Sequence, residues 1–584
     1  MKKHLLFLFA ALLPLIANAD PIEIEGVWYN LDTQQKEATV TAGNSKYAGN
    51  ISIPDSVTYE KKKYAVKSIE EEAFRGCNGL TVIELTENIT SIGEKAFFNC
   101  GGLTTITIPE ISLLTNIENE AFYGCYSLTK ICIPENVTEI GEKAFYDCKS
   151  LTEIIIPQKM TSIANSTFYN CSKLNTVSLP WYMTNIGEQA FGNCSKLTDI
   201  NIPENIVTIG DAAFRNCSSL TKINIPEKVT GIGNSVFYDC SSLTQIILPE
   251  NITRIGNYAF ENCGSLTDIT IPEAVDSIGN YAFANCRNIN ALELPKGLKY
   301  MGAGAFSNCK GITKINIPEG VKCIEEYTFS GCSSLTGITI PEGVTSIGSR
   351  AFIFCNNLTD ITIPKSLKSI GSLAFNECYS LNAVHINNIA AWCNIDFKDN
   401  PLVLAQNLYL NKKLVTEITI PSIVTVIKKS TFSHCSCLTA ITLSKDITTI
   451  ETEAFAECTG LLDVYCYAET APTVEANAFY GTLISQTTLH VPASAVNAYR
   501  GVSTWNSFGN IEALDEEYQE PNEEQGENNE EQEKNEEDKE EEDASIKTSA
   551  INTQFSTLYN LQGQSVKKAE QGIYIIDGRK VVIK

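Results

Sequence analysis

The chain has few of the residues on which enzymes usually depend. Among 584 residues there are only 4 histidines, and His385, His434 and His490 lie far apart in the sequence. The motifs of phosphate-binding loops, nucleophile elbows, zinc proteases and dinucleotide-binding folds are missing. We therefore expect no catalytic residue, no metal site and no cofactor, and we expect that the protein is not an enzyme.

Positive charge is also scarce. Lys and Arg total 44 against 69 Asp and Glu, so the formal net charge is −25. Residues 515–543 alone contain 17 acidic residues and two lysines, which gives a local charge of −15. Without a basic stripe, the chain is not expected to bind nucleic acid. The acidic tract has almost nothing to bury, so we expect a disordered spacer that self-repulsion keeps extended.

Long apolar runs are limited to the N-terminus. The run from Leu5 to Ile16 follows two lysines and precedes Ala17-Asn18-Ala19, a small-residue cleavage pattern. Such a run is too short to cross a bilayer and is typical of a secretory signal peptide. We expect residues 1–19 to be removed, the mature chain to begin at Asp20, the protein to be exported, and no transmembrane helix to be present.

What the sequence does contain is a repeat. The frame F-x-x-C recurs sixteen times, with steps of 23 residues except for one step of 25 and one of 57. The repeated cysteines are Cys77, Cys100, Cys125, Cys148, Cys171, Cys194, Cys217, Cys240, Cys263, Cys286, Cys309, Cys332, Cys355, Cys378, Cys435 and Cys458. A period this regular is typical of a solenoid, in which each unit buries its apolar face only against its neighbours.

Each position of the unit has a physical role. In the copy from Cys194 to Cys217, L-x-x-I-x-I alternates as a short strand does, and Pro203 ends that strand because proline cannot donate to a ladder. Ile209-Gly210 is expected to form a turn, and Ala213-Phe214 to return the chain to the core. The pattern predicts a β-rich α/β-type leucine-rich repeat solenoid, a right-handed superhelix of about 18–19 coils.

The repeated unit L-T-x-I-x-I-P-x-x-V-T-x-I-G-x-x-A-F-x-x-C, as from Leu335 to Cys355, resembles the BspA-like family of bacterial leucine-rich repeat surface proteins. The resemblance spans about residues 26–513 and departs from the pattern at residues 387–413. There Leu408-Tyr409-Leu410 still looks like a strand, so we expect a bulged or widened coil that either bends the solenoid or is merely tolerated. The resemblance implies an adhesin that binds extracellular proteins.

The cysteines have two competing interpretations. Stacked coils would place the sixteen cysteines in one buried ladder beside the phenylalanines, where free cysteine packs as a small hydrophobe. Disulfides are the alternative, because export favours oxidation, but the total of 21 is odd. Five cysteines lie outside the ladder, and the run from His434 to Cys437 has no second ligand pair that would make a metal site. Those five are Cys132, Cys323, Cys393, Cys437 and Cys466.

The first candidate surface is the outward column of the strands. In L-x-x-I-x-I the residue between the last two apolar positions points away from the core. Small uncharged polar side chains dominate this column, which suits broad hydrogen bonding, although such residues also simply tolerate a solvated sheet. The candidates chosen from it are Thr107, Asn201, Asn224, Thr270, Asn316, Thr339 and Thr362.

The second candidate surface is aromatic. The position after each repeated phenylalanine is Phe98, Tyr123, Tyr146 and Tyr169 in four consecutive coils, and Tyr182 follows on a different side. At the usual strand spacing the four rings would form a stripe about 15 Å long. Tyrosine is enriched at interface hot spots, and its ring can stack on sugars. The stripe is therefore a candidate protein or glycan site, with shielding of the core edge as the alternative.

The predicted domain organisation follows from these patterns. We expect a cap at residues 20–66, repeats at 67–465, a C-terminal cap at 466–513, an acidic linker at 514–545 and a β module at 546–584. The last segment, with Leu558-Tyr559-Asn560 and a hairpin at Asp577-Gly578, resembles part of a type IX secretion sorting domain of Bacteroidetes. That resemblance implies outer-membrane sorting or attachment. Besides the adhesin, the alternatives are a surface glycan-binding protein and a structural surface-layer component.

Overall fold

The structure is a computed structural model that describes residues 20–514 and four strands between residues 558 and 583. The predicted signal peptide at residues 1–19 and the acidic tract from residue 515 lie outside the described residues. Residues 20–514 form a β-solenoid of about 19 turns of about 23 residues each, with few helices. The predicted fold class is confirmed.

The first ladder of the solenoid, the strand face, is built from the L-x-x-I-x-I segments. Its strands pair in parallel, for example Thr339 with Thr362, within five groups that follow one another along the chain. The strands of this face are Ala48–Ser52, Gly79–Glu84, Thr105–Thr107, Glu153–Ile155, Thr176–Ser178, Lys222–Asn224, Gln245–Ile247, Gly337–Thr339, Asp360–Ile363, Ala383–Ile386, Leu408–Leu410, Glu417–Thr419, Ala440–Leu443, Asp463–Cys466, Thr488–Val491 and Asn510–Ala513.

A second ladder of short strands lies where the sequence suggested a turn. Thr208–Ile209 is a strand that pairs with Asn185–Ile186, and the turn begins only after Gly210. The members are Ser91–Ile92, Asn116–Ile117, Glu139–Ile140, Ser162–Ile163, Asn185–Ile186, Thr208–Ile209, Gly231–Ile232, Arg254–Ile255, Ser277–Ile278, Tyr300–Met301, Cys323–Ile324, Ser346–Ile347, Ser369–Ile370, Asp396–Phe397, Val426–Ile427, Thr449–Ile450 and Thr473–Val474.

Gly210 explains why the turn starts late. A Cβ at this position would lie 2.5 Å from the Glu188 nitrogen of the preceding coil. Without a side chain, Gly210 lets the two backbones approach this closely, and this approach holds the short strand against its neighbour. The expectation of a turn at Ile209-Gly210 was therefore wrong for Ile209, because the two β-branched residues Thr208 and Ile209 are enough for a parallel bridge.

The turn face is the third side of each coil and carries the A-F-x-x-C segments. In one such turn, Phe214 N–H donates to Val236 O at 3.0 Å and Asn216 N–H donates to Tyr238 O at 2.7 Å in the next coil. Ala212 and Asn216 have φ values of 55° and 59°, so the turn contains two left-handed residues. This geometry directs Phe214 into the core while every second N–H bonds to the following coil.

Phenylalanine and cysteine fill the core beside these turns. Neighbouring rings, from Phe74–Phe97 through Phe352–Phe375, stack with centroid separations between 4.9 and 5.8 Å. All sixteen ladder cysteines are buried and free, which confirms the packing interpretation. The thiols also make hydrogen bonds that the sequence did not suggest. The Cys217 thiol donates to Phe191 O of the preceding coil at 3.2 Å.

Both ends of residues 20–514 are covered. At the first end, the strands Ile22–Ile24, Val27–Asp32, Glu37–Thr41, Ser56–Tyr59 and Lys62–Ile69 extend the short ladder. Tyr47 packs on Phe74, the first ring of the core column, at 4.7 Å. The other end holds the helix Val496–Arg500 and the 3-10 turns Ile484–Gln486 and Trp505–Ser507. Trp505 and Phe508 pack against Phe479, and Tyr499 of the helix packs on Trp505.

The coil at residues 387–413 contains two short helices, α1 (Ile389–Cys393) and α2 (Leu402–Ala405). The strand-like Leu408-Tyr409-Leu410 is a strand of the strand face, as expected, and it turns back to pair with Lys413–Leu414. Trp392 is buried, and its Nε1–H donates to Thr431 O of the next coil at 3.1 Å. The widened coil is therefore attached to its neighbour through the core.

The four strands near the C-terminus are Leu558–Asn560, Ser565–Val566, Gly572–Ile576 and Arg579–Ile583. They form one antiparallel sheet, in which Ile576 pairs with Arg579 at the end of a hairpin. The Asp577-Gly578 turn that the sequence suggested lies outside the described residues.

Candidate binding surfaces

The seven strand-face candidates lie along the solenoid and do not converge on one pocket. Thr107, Asn201, Asn224, Thr270, Asn316 and Thr339 are exposed, and Thr362 is half-buried. Their side chains point outward because alternate strand residues such as Ile361 and Ile363 are buried in the core. Thr339 and Thr362 are cross-strand neighbours, whereas Thr107 lies many coils away.

Two of these candidates line one hollow, which lies where the strand pairing of the strand face is interrupted. Between Gln245–Ile247 and Gly337–Thr339, the described strand-face residues form only one bridge, Gln245 with Asp268. A hollow of about 920 Å³ opens there, and Asn316 and Thr339 are among the residues that line it.

Asn316 compensates for the lost pairing in this hollow. Its amide hydrogen-bonds to the backbone of Leu294 in the preceding coil, accepting from N–H at 3.3 Å and donating to C=O at 3.4 Å. The side chain therefore links two coils at the place where the ladder is interrupted. Its first role is structural, which leaves Thr339 and charged neighbours such as Lys314 and Glu293 available to a partner.

The strand face continues past Thr362 into residues that the sequence analysis did not include. The same outward column reaches His385 and Tyr409, whose rings stack at 4.9 Å, and later Tyr465 and His490, which stack at 4.4 Å. Cross-strand register places each pair side by side. Following the L-x-x-I-x-I register beyond residue 362 would have found them.

The aromatic stripe forms one continuous stack on the turn face. Centroid separations are 4.7 Å for Phe98–Tyr123, 4.6 Å for Tyr123–Tyr146 and 4.8 Å for Tyr146–Tyr169. All four side chains are half-buried. The structure thus brings together the four residues that the sequence selected, because coil stacking repeats one position at one spacing.

The faces of these rings are covered. Each inner ring lies between two others, the Arg75 guanidinium sits 5.3 Å from the Phe98 centroid, and a Cβ on Gly192 would lie 2.8 Å from Tyr169 Cδ2. What remains open is the row of ring edges. Burial raises the pKa of the Tyr123 phenol, with nearby Asp147 adding to the rise, and burial likewise raises the pKa of the Tyr146 phenol. Both hydroxyls are therefore protonated at neutral pH and can donate hydrogen bonds.

Tyr182 lies apart from the stripe. It follows Pro180 on the edge between the strand face and the short ladder, and its side chain is 69% exposed, beside Trp181 at 59%. Tyr182 and Trp181 thus form a small exposed aromatic patch of their own.

A second aromatic group on the turn face has no counterpart in the sequence analysis. Tyr258 and Tyr281 stack at 5.6 Å, and Arg350 both covers the Tyr327 ring at 5.5 Å and donates to its hydroxyl at 2.9 Å. These side chains come from the position two residues before each repeated phenylalanine. Reading that column, as was done for the column after phenylalanine, would have revealed the group.

Two features bear on what these surfaces can bind. Over the described ranges, no group of three or more His, Cys, Asp or Glu side chains is arranged to hold a metal ion. In the same part of the chain, the helices are all too short or too polar to traverse a bilayer. The surfaces offer hydrogen bonding, aromatic edges and scattered charge.

Comparison with known proteins identifies a repeat family and several similar structures. The profile of the BspA type leucine-rich repeat region matches residues 47–175, 161–290, 253–382 and 387–500. A leucine-rich cell surface protein from Faecalibacterium prausnitzii is 30% identical, with 65% of this chain and 98% of that chain covered and a TM-score of 0.44. A leucine-rich repeat protein from Bacteroides ovatus is 24% identical, with coverages of 84% and 99% and a TM-score of 0.46. No curated protein matches the chain.

The repeat profile covers well over half of the sequence and coincides with the stacked coils of the solenoid. The chain therefore belongs to the BspA-type leucine-rich repeat family.

Proposed function

We propose that the protein is a non-enzymatic adhesin, exported to the bacterial surface, that recognises host or bacterial surface proteins through the outer faces of its solenoid. The observation that carries this proposal is the aromatic stripe of Phe98, Tyr123, Tyr146 and Tyr169. It is one fixed row of ring edges whose Tyr123 and Tyr146 hydroxyls, with pKa values that burial raises further, can donate hydrogen bonds.

A stacked row of this kind suits protein recognition because its side chains are already ordered. Binding normally costs about 0.5–1.5 kcal/mol for each flexible side chain that becomes fixed. Tyr123 and Tyr146 each lie between two neighbouring rings, so most of that cost is met during folding. Their hydroxyls can then donate to carbonyl or carboxylate groups of a partner with little further ordering.

The strand face supplies a second, weaker contact area. Its small polar column, the hollow at Asn316 and Thr339, and the ring pair of Tyr465 and His490 offer dispersed hydrogen bonds. Many weak contacts along a stiff solenoid, multiplied by many copies on one cell, give avidity without any single tight site. In this proposal the acidic tract acts as a spacer, and the C-terminal strands belong to an outer-membrane sorting segment of the type IX kind.

The glycan-binding alternative finds less support in the stripe. A sugar stacks on the face of an aromatic ring, and the faces of Tyr123 and Tyr146 are covered by neighbouring rings. The structural surface-layer alternative requires self-association of the solenoid, which is a measurable property.

The proposal is tested by binding of the purified full chain to arrays of extracellular-matrix proteins, bacterial surface proteins and glycans. The diagnostic variant carries Tyr123→Phe, Tyr146→Phe and Tyr169→Phe together, which keeps the stack and removes three hydroxyls. Each hydroxyl hydrogen bond contributes about 1 kcal/mol, so affinity should fall roughly a hundredfold. The matched control is Tyr258→Phe with Tyr281→Phe, which alters another tyrosine stack on the same face.

Saturable protein binding that weakens in the triple variant and not in the control supports the stripe as the site. Equal binding by all three chains would move the site away from the stripe. Binding confined to glycans would favour the glycan-binding alternative. The absence of any binding, together with concentration-dependent self-association in sedimentation, would replace the adhesin by a structural component.

A further inference from the structure

The thiols of the cysteine ladder donate hydrogen bonds in nearly every coil. Fourteen of them donate to the carbonyl oxygen of the preceding coil's phenylalanine at 2.9–3.3 Å. Burial and this hydrogen bond together shield the sulfur from reagents. A thiol that lacked either feature would differ chemically from the rest of the ladder.

Cys435 is the ladder cysteine that follows the widened coil. That coil contains α1 and α2 in place of an A-F-x-x-C turn, so no phenylalanine carbonyl is stacked beneath Cys435. The Cys435 thiol instead neighbours Cys437, two residues along the chain. Replacement of a regular turn by helices thus leaves Cys435 without the carbonyl acceptor that the other ladder thiols use, next to a second thiol.

A tight turn holds the two cysteines together. Leu438 N–H donates to Cys435 O at 3.2 Å, which folds residues 435–438 back on themselves. Cys437 is half-buried at the surface of the solenoid, and its thiol donates to Val415 O at 3.3 Å and to Gln406 O at 3.8 Å. Cys435 is buried directly behind it. The pair therefore presents one accessible sulfur backed by one sheltered sulfur.

We propose that Cys435 and Cys437 form a thiol–disulfide exchange site that reacts with low-molecular-weight disulfides such as oxidised glutathione. The accessible sulfur of Cys437 is the attacking group, and the sheltered sulfur of Cys435 is the resolving group. This inference does not depend on the proposed adhesin function, because it rests on the chemistry of one turn.

The electrostatics of the pair agree with that division of roles. The neighbouring Cys435 thiol lowers the pKa of the Cys437 thiol, whereas the neighbouring Cys437 sulfur and burial raise the pKa of the Cys435 thiol. Thiolate is the nucleophile in exchange, so the accessible sulfur is also the one that ionises first. Buried ladder thiols such as Cys217 and Cys458 have raised pKa values caused by burial.

The reaction balances in two steps. The Cys437 thiolate attacks one sulfur of R–S–S–R, so that a Cys437–S–S–R bond forms and RS⁻ leaves to take a proton from solvent. Cys435 then loses its proton to solvent, and its sulfur attacks the Cys437 sulfur and expels the second RS⁻. Two electrons pass from the two protein thiols to the small disulfide, which is reduced to two RSH, while the protein gains a Cys435–Cys437 disulfide.

The sequence provides a convenient readout. Cleavage after Lys429 and Lys445 releases residues 430–445, which contain both cysteines and no others. Cleavage after Lys130 and Lys143 releases residues 131–143, which contain only Cys132, an exposed cysteine of the strand face. The two peptides report the proposed site and an exposed control thiol from the same digest.

The experiment treats the folded full chain, freed of reductant, with oxidised glutathione at neutral pH and follows these peptides by mass spectrometry over time. The expected product is residues 430–445 with two hydrogens lost, preceded by a transient glutathione adduct. In Cys435→Ser the adduct should accumulate, because the resolving thiol is missing. In Cys437→Ser the peptide should stay unmodified while residues 131–143 react as in the unaltered chain.

Each other outcome overturns the proposal. Modification of residues 131–143 that is faster than that of residues 430–445 would show that exposure alone governs reactivity. Reaction of residues 430–445 only after denaturation would show that the folded turn protects both sulfurs. An adduct that persists equally in the unaltered chain and in Cys435→Ser would remove the resolving role. The time course on the unaltered chain needs no variant, so a folding defect in either variant leaves the test intact.

Discussion

Alkaline pH should destabilise the solenoid through its thiol ladder. The ordinary thiol pKa is 9.0, and burial raises the pKa of Cys217 to about 12. Above pH 9 the unfolded chain therefore releases a proton that the folded chain retains. The Cys217 thiol therefore contributes its full stabilisation below the pKa of the thiol in the unfolded chain. That stabilisation is lost as the pH rises from about 9 to about 12.

The size of the effect follows from proton linkage. Between pH 8 and pH 10 a thiol that ionises only in the unfolded chain lowers the free energy of unfolding by about 1.4 kcal/mol. Cys217, Cys263 and Cys332 are each buried in a separate coil, and burial raises the pKa of each. When several coils unfold together, their losses in the free energy of unfolding add, so the total loss grows with the number of coils in the cooperative unit.

The assay is urea unfolding of the reduced full chain and of Cys217→Ala at pH 8 and pH 10. Substitution costs stability at both pH values, but the loss between them should be about 1.4 kcal/mol smaller in the variant, because one linked thiol is gone. Contributions from tyrosine and lysine cancel in this difference. An identical pH dependence in Cys217→Ala and the unaltered chain would refute the linkage.

Three further predictions concern packing. Gly210→Ala places a Cβ about 0.9 Å inside ordinary van der Waals distance of a neighbouring backbone and should lower the free energy of unfolding in urea by about 1–3 kcal/mol. The control Gly264→Ala, whose Cβ would lie 3.9 Å from its nearest atom, should be close to neutral. Equal effects of the two substitutions would contradict the close-approach role of Gly210. Phe214→Ala should cost about 3–5 kcal/mol and raise hydrogen exchange mainly in adjacent coils, so a uniform rise along the chain would contradict neighbour-limited coupling. Trp392→Phe removes the hydrogen bond to Thr431 O and should cost about 1 kcal/mol in the same assay; an unchanged stability would show that the indole N–H adds nothing to the attachment of the widened coil.

Repetition made much of the fold predictable from the sequence. A 23-residue period places Phe214, Cys217 and Ile209 at the same point of every coil, so one copy describes the core of all the others. The same logic correctly brought Phe98, Tyr123, Tyr146 and Tyr169 together. Periodicity identifies which residues stack, and stacking was the main property that the stripe required.

Other features depend on distances that periodicity does not contain. The interruption of strand pairing near Asn316 depends on how whole coils fit together, and no single residue in the sequence predicts it. The short strand Thr208–Ile209 has too few residues to show alternation. Helix α2 has 4 residues, far below the length at which helix propensity is informative. The covered ring faces of the stripe likewise follow from side-chain placement within each turn.

The widened coil also solves a problem of alignment. A stack of nearly identical units has approximate translational symmetry, so a chain that folds one unit out of phase would satisfy most of the same contacts. Repeat proteins are prone to such misassembly. Among the described residues, helices α1 and α2 occur only in this coil, which is attached to the phenylalanine turn at Thr431 and Phe432. The irregular coil therefore breaks the translational symmetry and makes the coils before it distinguishable from the coils after it.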